Sequence, residues 1–481
     1  MTISQQPTCD KSSIELVDSS KPPQLDPLQK VHMQDFKQLL SVSFPSVCYI
    51  FLTMLLNSVD AIMVGRAYGN QLSAVTIGSS ITYLTLFIPV SSTVALDALN
   101  TQAIGAGSPK KVGIYTQIGT LVALILSIIP IFIWFFSKHV LSLLRFSDYL
   151  VQNSSEYMSI QTFSILFFVL FTLFGPKTLE CQGIILPQVV IMVITNIFNI
   201  ITNYIFIFRL DMGLRGAGLS TALSRVWPFC FLLIYHKYTT HFNNIWTPFD
   251  KKYFKWKEIR MYLQISLPGM TFQVLDNAAF TLWAIFAGYL GTLEASAHSV
   301  LFSTISLSYS ICVGLGIASS IRVGRLVGAG EAKRAKMTGY MSVGLSLAVM
   351  SFSSVVLISF RHYVPTWFTS DEAIIEVAIP LFFPAAFFQL SDGVQTVSAG
   401  IIRGLGKNKA AAVIVLFTYY GISMPLTYLL AFRLEMSIFG MWVAIAIALS
   451  CAAICLFCLV LFTNWQKEAD RSRERLCEVE V

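Results

Sequence analysis

The sequence predicts an all-α membrane bundle of twelve transmembrane helices in two parallel six-helix lobes with a central cleft, and three observations lead there. The 481 residues are 55% hydrophobic and only 12% charged, with a mean hydropathy of +0.67, too little polar surface to clothe a water-soluble globule of this size. Twelve apolar runs are each long enough to cross a hydrocarbon layer of ~30 Å as a helix. A set of residues in the first half also recurs in the second at a constant offset.

The apolar runs fall at about 39–65, 72–100, 112–136, 155–183, 187–208, 215–236, 262–288, 294–321, 337–360, 373–402, 409–432 and 437–463. Before them, residues 1–36 are polar and lack the apolar core of a signal peptide, so they read as a disordered tail. The longest polar connection inside the bundle, 239–261, reads as a linker between lobes at 37–238 and 262–463, and 464–481 form a second polar tail. Twelve crossings put both tails on one side. Tails and even-numbered loops hold 24 Lys and Arg against 7 in the odd loops, which places both tails in the cytoplasm. The glycosylation acceptor Asn153-Ser-Ser155 then falls on the outer side.

The net charge of +7 sits between apolar runs rather than on one amphipathic face, so it reports topology and not nucleic-acid binding. Nine cysteines, mostly inside apolar runs, show no metal-ligand spacing and read as small core residues. The six histidines lie in tails, loops or helix ends, which leaves no His-led catalytic or metal cluster and predicts neither enzyme nor cofactor.

The repeat is specific. Pro45 and Pro268, Ala61-Ile62 and Ala284-Ile285, Gly65 and Gly288, Gly105-Ala-Gly107 and Gly328-Ala-Gly330, and Lys110-Lys111 and Lys333-Arg334 are each 223 residues apart. Gln182-Gly183 matches Arg403-Gly404 at 221, and Gly218 matches Gly440 at 222. Six helices per repeat give both halves the same orientation and leave a cleft between them near mid-depth.

Within the spans, acids are the costly residues. Asp276 lies near the middle of helix seven, eight residues after Pro268; an ionised Asp there costs roughly 2.5–3.5 kcal/mol on insertion scales, so it is expected to face a wet interior and bind a proton or small cation. Asp392 lies near the middle of helix ten. Two carboxylates in one lobe can share one proton or jointly hold one cation, because like charges in low dielectric resist double ionisation. Asp60, nearer the outer end of helix one, is the first-half acid and serves equally as a coupling group or a helix-end polar residue. Gln273, Asn277, Thr281 and Gln395 are candidates to line the cleft. Asn196, Asn199 and Asn203 share one face of helix five, where they line a polar cavity or bond to a neighbouring helix. Lys177 and Glu180, one turn apart, are expected to pair locally, Asp97 to be structural, and the two Gly-Ala-Gly strings to make tight cytoplasmic turns.

Taken with the strings 95–107, 182–188, 196–204, 320–330 and 400–406, this architecture resembles the MATE family, multidrug and toxic compound extrusion antiporters, over residues 37–463 and closer to the eukaryotic-type branch. The resemblance implies export of hydrophobic, often cationic organic compounds by rocking of two lobes, driven by entry of H+ or Na+. It also implies that Asp276 and Asp392 are the second-lobe acids of the family, with Na+ an alternative occupant, and that Asp60 matches a first-lobe acid of bacterial members. Two departures stand out: the helix-seven acid is usually Glu, and Thr281 stands where animal members often carry a second Glu. The partners implied are a small organic substrate and the lipid bilayer, for a monomer in the plasma membrane or a vacuolar or lysosomal membrane. The 37 phenylalanines suit flat aromatic cations. The rival readings are an organic-anion exporter of the same family, a major-facilitator-type porter and, from another class, a multipass lipid-modifying enzyme.

Overall fold

The computed structural model describes residues 27–67, 72–143 and 147–478, and among them there is no strand. The first half comprises α1 (Pro27–Ala67), α2 (Leu72–Ser92), α3 (Ala95–Gly105), α4 (Lys110–Phe135), α5 (Ser137–Leu143), α6 (Asp148–Ile160), α7 (Ser164–Phe174), the one-turn α8 (Pro176–Leu179), α9 (Leu186–Asn203) and α10 (Gly213–Tyr238). After α11 (His241–Ile245) in the connection come α12 (Trp256–Leu290), α13 (Thr292–Gly328), α14 (Ala332–Ser359), α15 (Glu372–Leu405), α16 (Asn408–Val415), α17 (Met424–Thr427), α18 (Ser437–Leu461) and α19 (Trp465–Glu478).

Each apolar run coincides with a helical stretch. Eleven helices in the described residues are long and apolar enough to cross a membrane. The remaining run is α12, 35 residues long, where Gln273, Asp276 and Asn277 interrupt the apolar sequence. Helix ends follow local chemistry: the Asp371 carboxylate accepts from the Ala373 amide at 3.0 Å to cap α15, and Gly406, at φ +75, ends it.

The duplication persists in backbone detail. Two π-helical segments, Tyr204–Arg209 and Tyr428–Arg433, close corresponding spans. In each, the arginine stands 5.6 Å over the tyrosine ring. Each is followed by left-handed residues, Asp211 and Gly213 in one half and Glu435 and Ser437 in the other.

Buried apolar side chains fall mainly into one cluster per half. Long stripes of α4, α9 and α14, among them Phe132, Ile197 and Phe352, stay exposed, as lipid-facing surfaces must. The start of α12 packs with the first cluster, through Tyr262 and Ile265. Tyr262 Oη and Ser266 Oγ both donate to the Ser92 carbonyl, at 2.9 and 2.6 Å.

On the face that carries both ends of the described chain, the two halves are sealed together. Gly105 lies against the backbone of Arg325 and Gly328 against that of Gln102, each so closely that a Cβ would overlap main-chain atoms. Around this reciprocal crossing, Gln102 Nε2 donates to the Gly404 carbonyl at 2.8 Å, and Arg325 Nε donates to that of Cys181 at 2.7 Å. The glycine strings thus make turns, with Gly107 at φ +70 and Gly330 at φ +81, and also a backbone-to-backbone contact between the halves.

Two stretches expected to be tails are ordered into this seal. Helix α1 starts at Pro27, ten residues before the expected boundary, and Asp35 in it pairs with Arg322 at 2.9 Å and Arg334 at 2.8 Å. Beyond residue 464, α19 buries Trp465, Ala469, Ser472 and Leu476, a one-sided stripe. Ser472 Oγ donates to Gln102 Oε1 at 3.0 Å, Lys407 pairs with Glu468 at 3.6 Å, and Lys111 Nζ donates to the Leu476 carbonyl. So α19 straps both halves. Its sequence reads as a tail because only one narrow stripe is apolar.

Candidate functional site

Pro268 inside α12 and Pro380 and Pro384 inside α15 each remove a helical N–H donor, and the helices continue past them to carry Asp276 and Asp392. The charge of Asp276 reaches Asp392. Asp392 is 4% exposed and accepts from Thr396 Oγ1 at 3.3 Å; Cys312 of α13 stands beside it. Tyr419 and Gln395 adjoin the Asp276 carboxylate, and Tyr419 Oη donates to Gln395 Oε1 at 2.8 Å. Asp276 Oδ1 is nonetheless buried without a hydrogen bond, an open acceptor of the kind a proton or small cation fills.

The π-helical segment Leu416–Ser423 sets Tyr419 in place. Its neighbour Tyr420 donates to the Leu275 carbonyl at 2.9 Å, and Trp283 Nε1 donates to Ser423 Oγ at 3.1 Å. Both contacts tie the segment to α12. Tyr309 of α13 and Arg403 of α15 complete the surroundings of the acids.

Between the halves lies a chamber of about 230 Å³, lined from one side by Tyr49, Phe87, Asp97, Phe168, Lys177 and Glu180 and from the other by Gln273, Ile317, Ser320 and Arg403. A second chamber of about 190 Å³ inside the first half shares Tyr49, Phe87 and Phe168 with it.

Of the expected cleft residues, Gln273 lines the inter-lobe chamber and Gln395 stands with the acids. Asn277 donates back to the Gln273 carbonyl at 2.9 Å. Thr281 is exposed and donates to the Asn277 carbonyl at 3.3 Å. Neither residue is among those lining the two chambers. Asn196, Asn199 and Asn203 are buried and do not line either chamber, and the amides of two of them bond to neighbouring helices. Asn196 Nδ2 donates to the Leu52 carbonyl of α1 at 3.1 Å, and Asn199 Nδ2 to Ser224 Oγ of α10 at 2.7 Å. Asn199→Ala should therefore lower stability by about 0.6–2 kcal/mol, read as a fall in the unfolding temperature of the purified protein, with transport kept within about twofold. Unchanged stability with lost transport would restore the cavity role.

The expected Lys177–Glu180 pair is also corrected. Lys177 pairs instead with Asp97, because α8 faces α3, and Glu180 in the following 3-10 turn points into the chamber. The Asp60 side chain lies outside the described residues. Tyr419 and Tyr309 were not singled out from sequence, Arg403 entered only as a position of the repeat, and Glu180 only as a partner for Lys177. The phenols and the Arg are polar tips in apolar runs, a signal that shows presence but not direction.

The MatE family model matches residues 45–205 and 268–429, two segments that begin 223 residues apart, the offset of the internal repeat. The chain belongs to the MatE family. It is accordingly an integral, multi-pass membrane transporter rather than an enzyme. Protein DETOXIFICATION 17 of Arabidopsis thaliana is 31% identical over 446 residues, spanning 92% of this chain and 93% of that protein. Multidrug and toxin extrusion protein 1 of Homo sapiens is 25% identical, spanning 92% and 77%. The fold matches the crystal structure of the eukaryotic MATE transporter AtDTX14 with a TM-score of 0.84 at 24% identity, covering 92% of this chain and 99% of that one. It also matches the Vibrio cholerae MATE transporter VcmN in its bent form with a TM-score of 0.78 at 18% identity, covering 92% and 99%.

Proposed function

We propose that this MATE transporter exports hydrophobic organic cations from the cytoplasm in exchange for protons. The observation that carries the reading is the Asp276–Asp392 pair, two interacting carboxylates on α12 and α15, one with a buried oxygen left unbonded. Protons entering from outside neutralise the pair, and this change of charge alters the preference of the lobes for opening to one side, the condition for coupling. An inside-negative potential adds roughly 2.3 kcal/mol per charge per 100 mV to inward proton flow. The bias of Lys and Arg puts the sealed face, with both chain ends, in the cytoplasm. The chambers are walled by Tyr49, Phe87 and Phe168, which suits aromatic cations, and relatives are named for multidrug and toxin extrusion. No cofactor is needed; Na+, held by the same carboxylates with Gln395 and Tyr419, is the alternative ion.

The test uses purified protein in lipid vesicles with H+ and Na+ gradients imposed separately. A pH gradient alone is expected to drive accumulation of a fluorescent lipophilic cation. Response only to Na+ reassigns the ion, and no response to either gradient ends the antiport reading. Lys177 and Arg403 in the chamber wall favour a second reading, export of organic anions, and inhibition by aromatic carboxylates but not by quaternary amines would select it.

A further inference from the structure

Two charged side chains face the inter-lobe chamber from opposite halves without a hydrogen-bonded partner. Glu180, 8% exposed, lines the chamber from the first half, and among the described residues its carboxylate makes no hydrogen bond. Its neighbour Lys177 is bonded to Asp97 and shares its charge between Asp97 and Glu180. Opposite stands Arg403 of α15, whose Nε is buried with no acceptor. Arg403 lies in the electrostatic field of both Glu180 and Asp276. One guanidinium thus acts on a carboxylate of each half, Asp276 in the second and Glu180 in the first.

We propose that Glu180 is the subsite for the positive head of the exported compound and that Arg403 is a counter-cation shared between Glu180 and Asp276. The inference rests on the cation-export reading and supplies a physical link within it. While Asp276 carries its charge, Arg403 is held toward the second half and Glu180 stays open to an organic cation, whose rings lie against Tyr49 and Phe168. When Asp276 loses its charge, Arg403 turns to Glu180 and displaces the cation. Two positive groups competing for one buried carboxylate cannot both be satisfied, because an unpaired buried charge is strongly disfavoured. Substrate and coupling ion thus affect each other across the lobes without touching.

The experiment is equilibrium binding of tetraphenylphosphonium to the purified full chain with no gradient present. Glu180→Gln is expected to weaken binding by at least about tenfold. Asp276→Asn is expected to weaken it several-fold by releasing Arg403 onto Glu180. Adding Arg403→Gln to Asp276→Asn is expected to return affinity to the wild-type level or tighter, a reversal of sign that loss of packing does not produce. Wild-type affinity in Glu180→Gln, or a double variant no tighter than Asp276→Asn alone, overturns the proposal. If Glu180→Gln is not recovered folded, the comparison of the single and double variants decides. Because no gradient enters the measurement, failure here is distinct from failure of antiport, which appears as a wild-type protein that does not respond to gradients in vesicles.

Discussion

Asp392→Asn is expected to cut proton-driven cation transport in vesicles by at least about tenfold, toward the level of protein-free vesicles, while the protein still folds and inserts. The substitution keeps size and shape. Thr396 Oγ1, now 3.3 Å from Asp392 Oδ1, keeps an acceptor in the amide oxygen. What disappears is a group that changes charge, and a lobe whose charge never changes has no ion-dependent preference between its two openings. Asp276→Asn is expected to act in the same direction, since the two acids interact. Asp392, unlike Asp276, has no cation acting on it, and removing such a buried carboxylate leaves stability unchanged or raises it, so an unfolding temperature of Asp392→Asn at or above wild type separates lost coupling from lost fold. Undiminished gradient-driven transport in both variants refutes the coupling scheme.

The second large effect is expected at the glycine crossing. A Cβ on residue 328 would overlap the backbone of Gln102, and one on residue 105 the backbone of Arg325. Main chain cannot rotate away as a side chain can, so even Gly328→Ala penalises the state in which this face is closed. Overpacking of this kind costs about 1–3 kcal/mol, a shift of roughly five- to 150-fold toward the state in which the halves part here. Cys181, a buried free thiol in the chamber wall, reports the change. Labelling by a membrane-impermeant maleimide added on the side of the chain ends should accelerate in Gly328→Ala, with the modified peptide identified by mass spectrometry, while transport falls. Unaltered labelling would mean that the crossing flexes freely and does not act as a seal.

Gly105 and Gly328 also show how far reading the chain could reach. Their recurrence marks a duplicated turn, and the turns are there. That the two duplicated strings press against each other is a statement about space, and spacing along the chain does not contain it. The acids follow the same pattern. Their expense in lipid singles them out, but the neighbours that define their site, Tyr419 on a π-helical segment and Arg403 near the end of α15, come from other spans. Lys177 shows how a local rule fails: an i, i+3 partner was available in Glu180, yet Asp97, 80 residues earlier, takes the bond. Asn196 and Asn199 have the one-faced spacing expected of either a polar lining or an interhelical seam, and only the positions of α1 and α10 choose between them.

The sequence by itself determined the number of crossings, the duplication and the presence of two carboxylates within apolar spans. Each of these is a property of hydropathy, charge or repetition along one strand of text. The tertiary structure alone decided which way each helix is rotated, and with it the neighbours of the acids, the meeting of Glu180 and Arg403 in one chamber wall, the glycine crossing and the docking of α19. The physical reason is that a helix in lipid is apolar nearly all round. It carries little amphipathic signal to fix its rotation, so the partners of its few polar groups are set by packing between segments far apart in the chain.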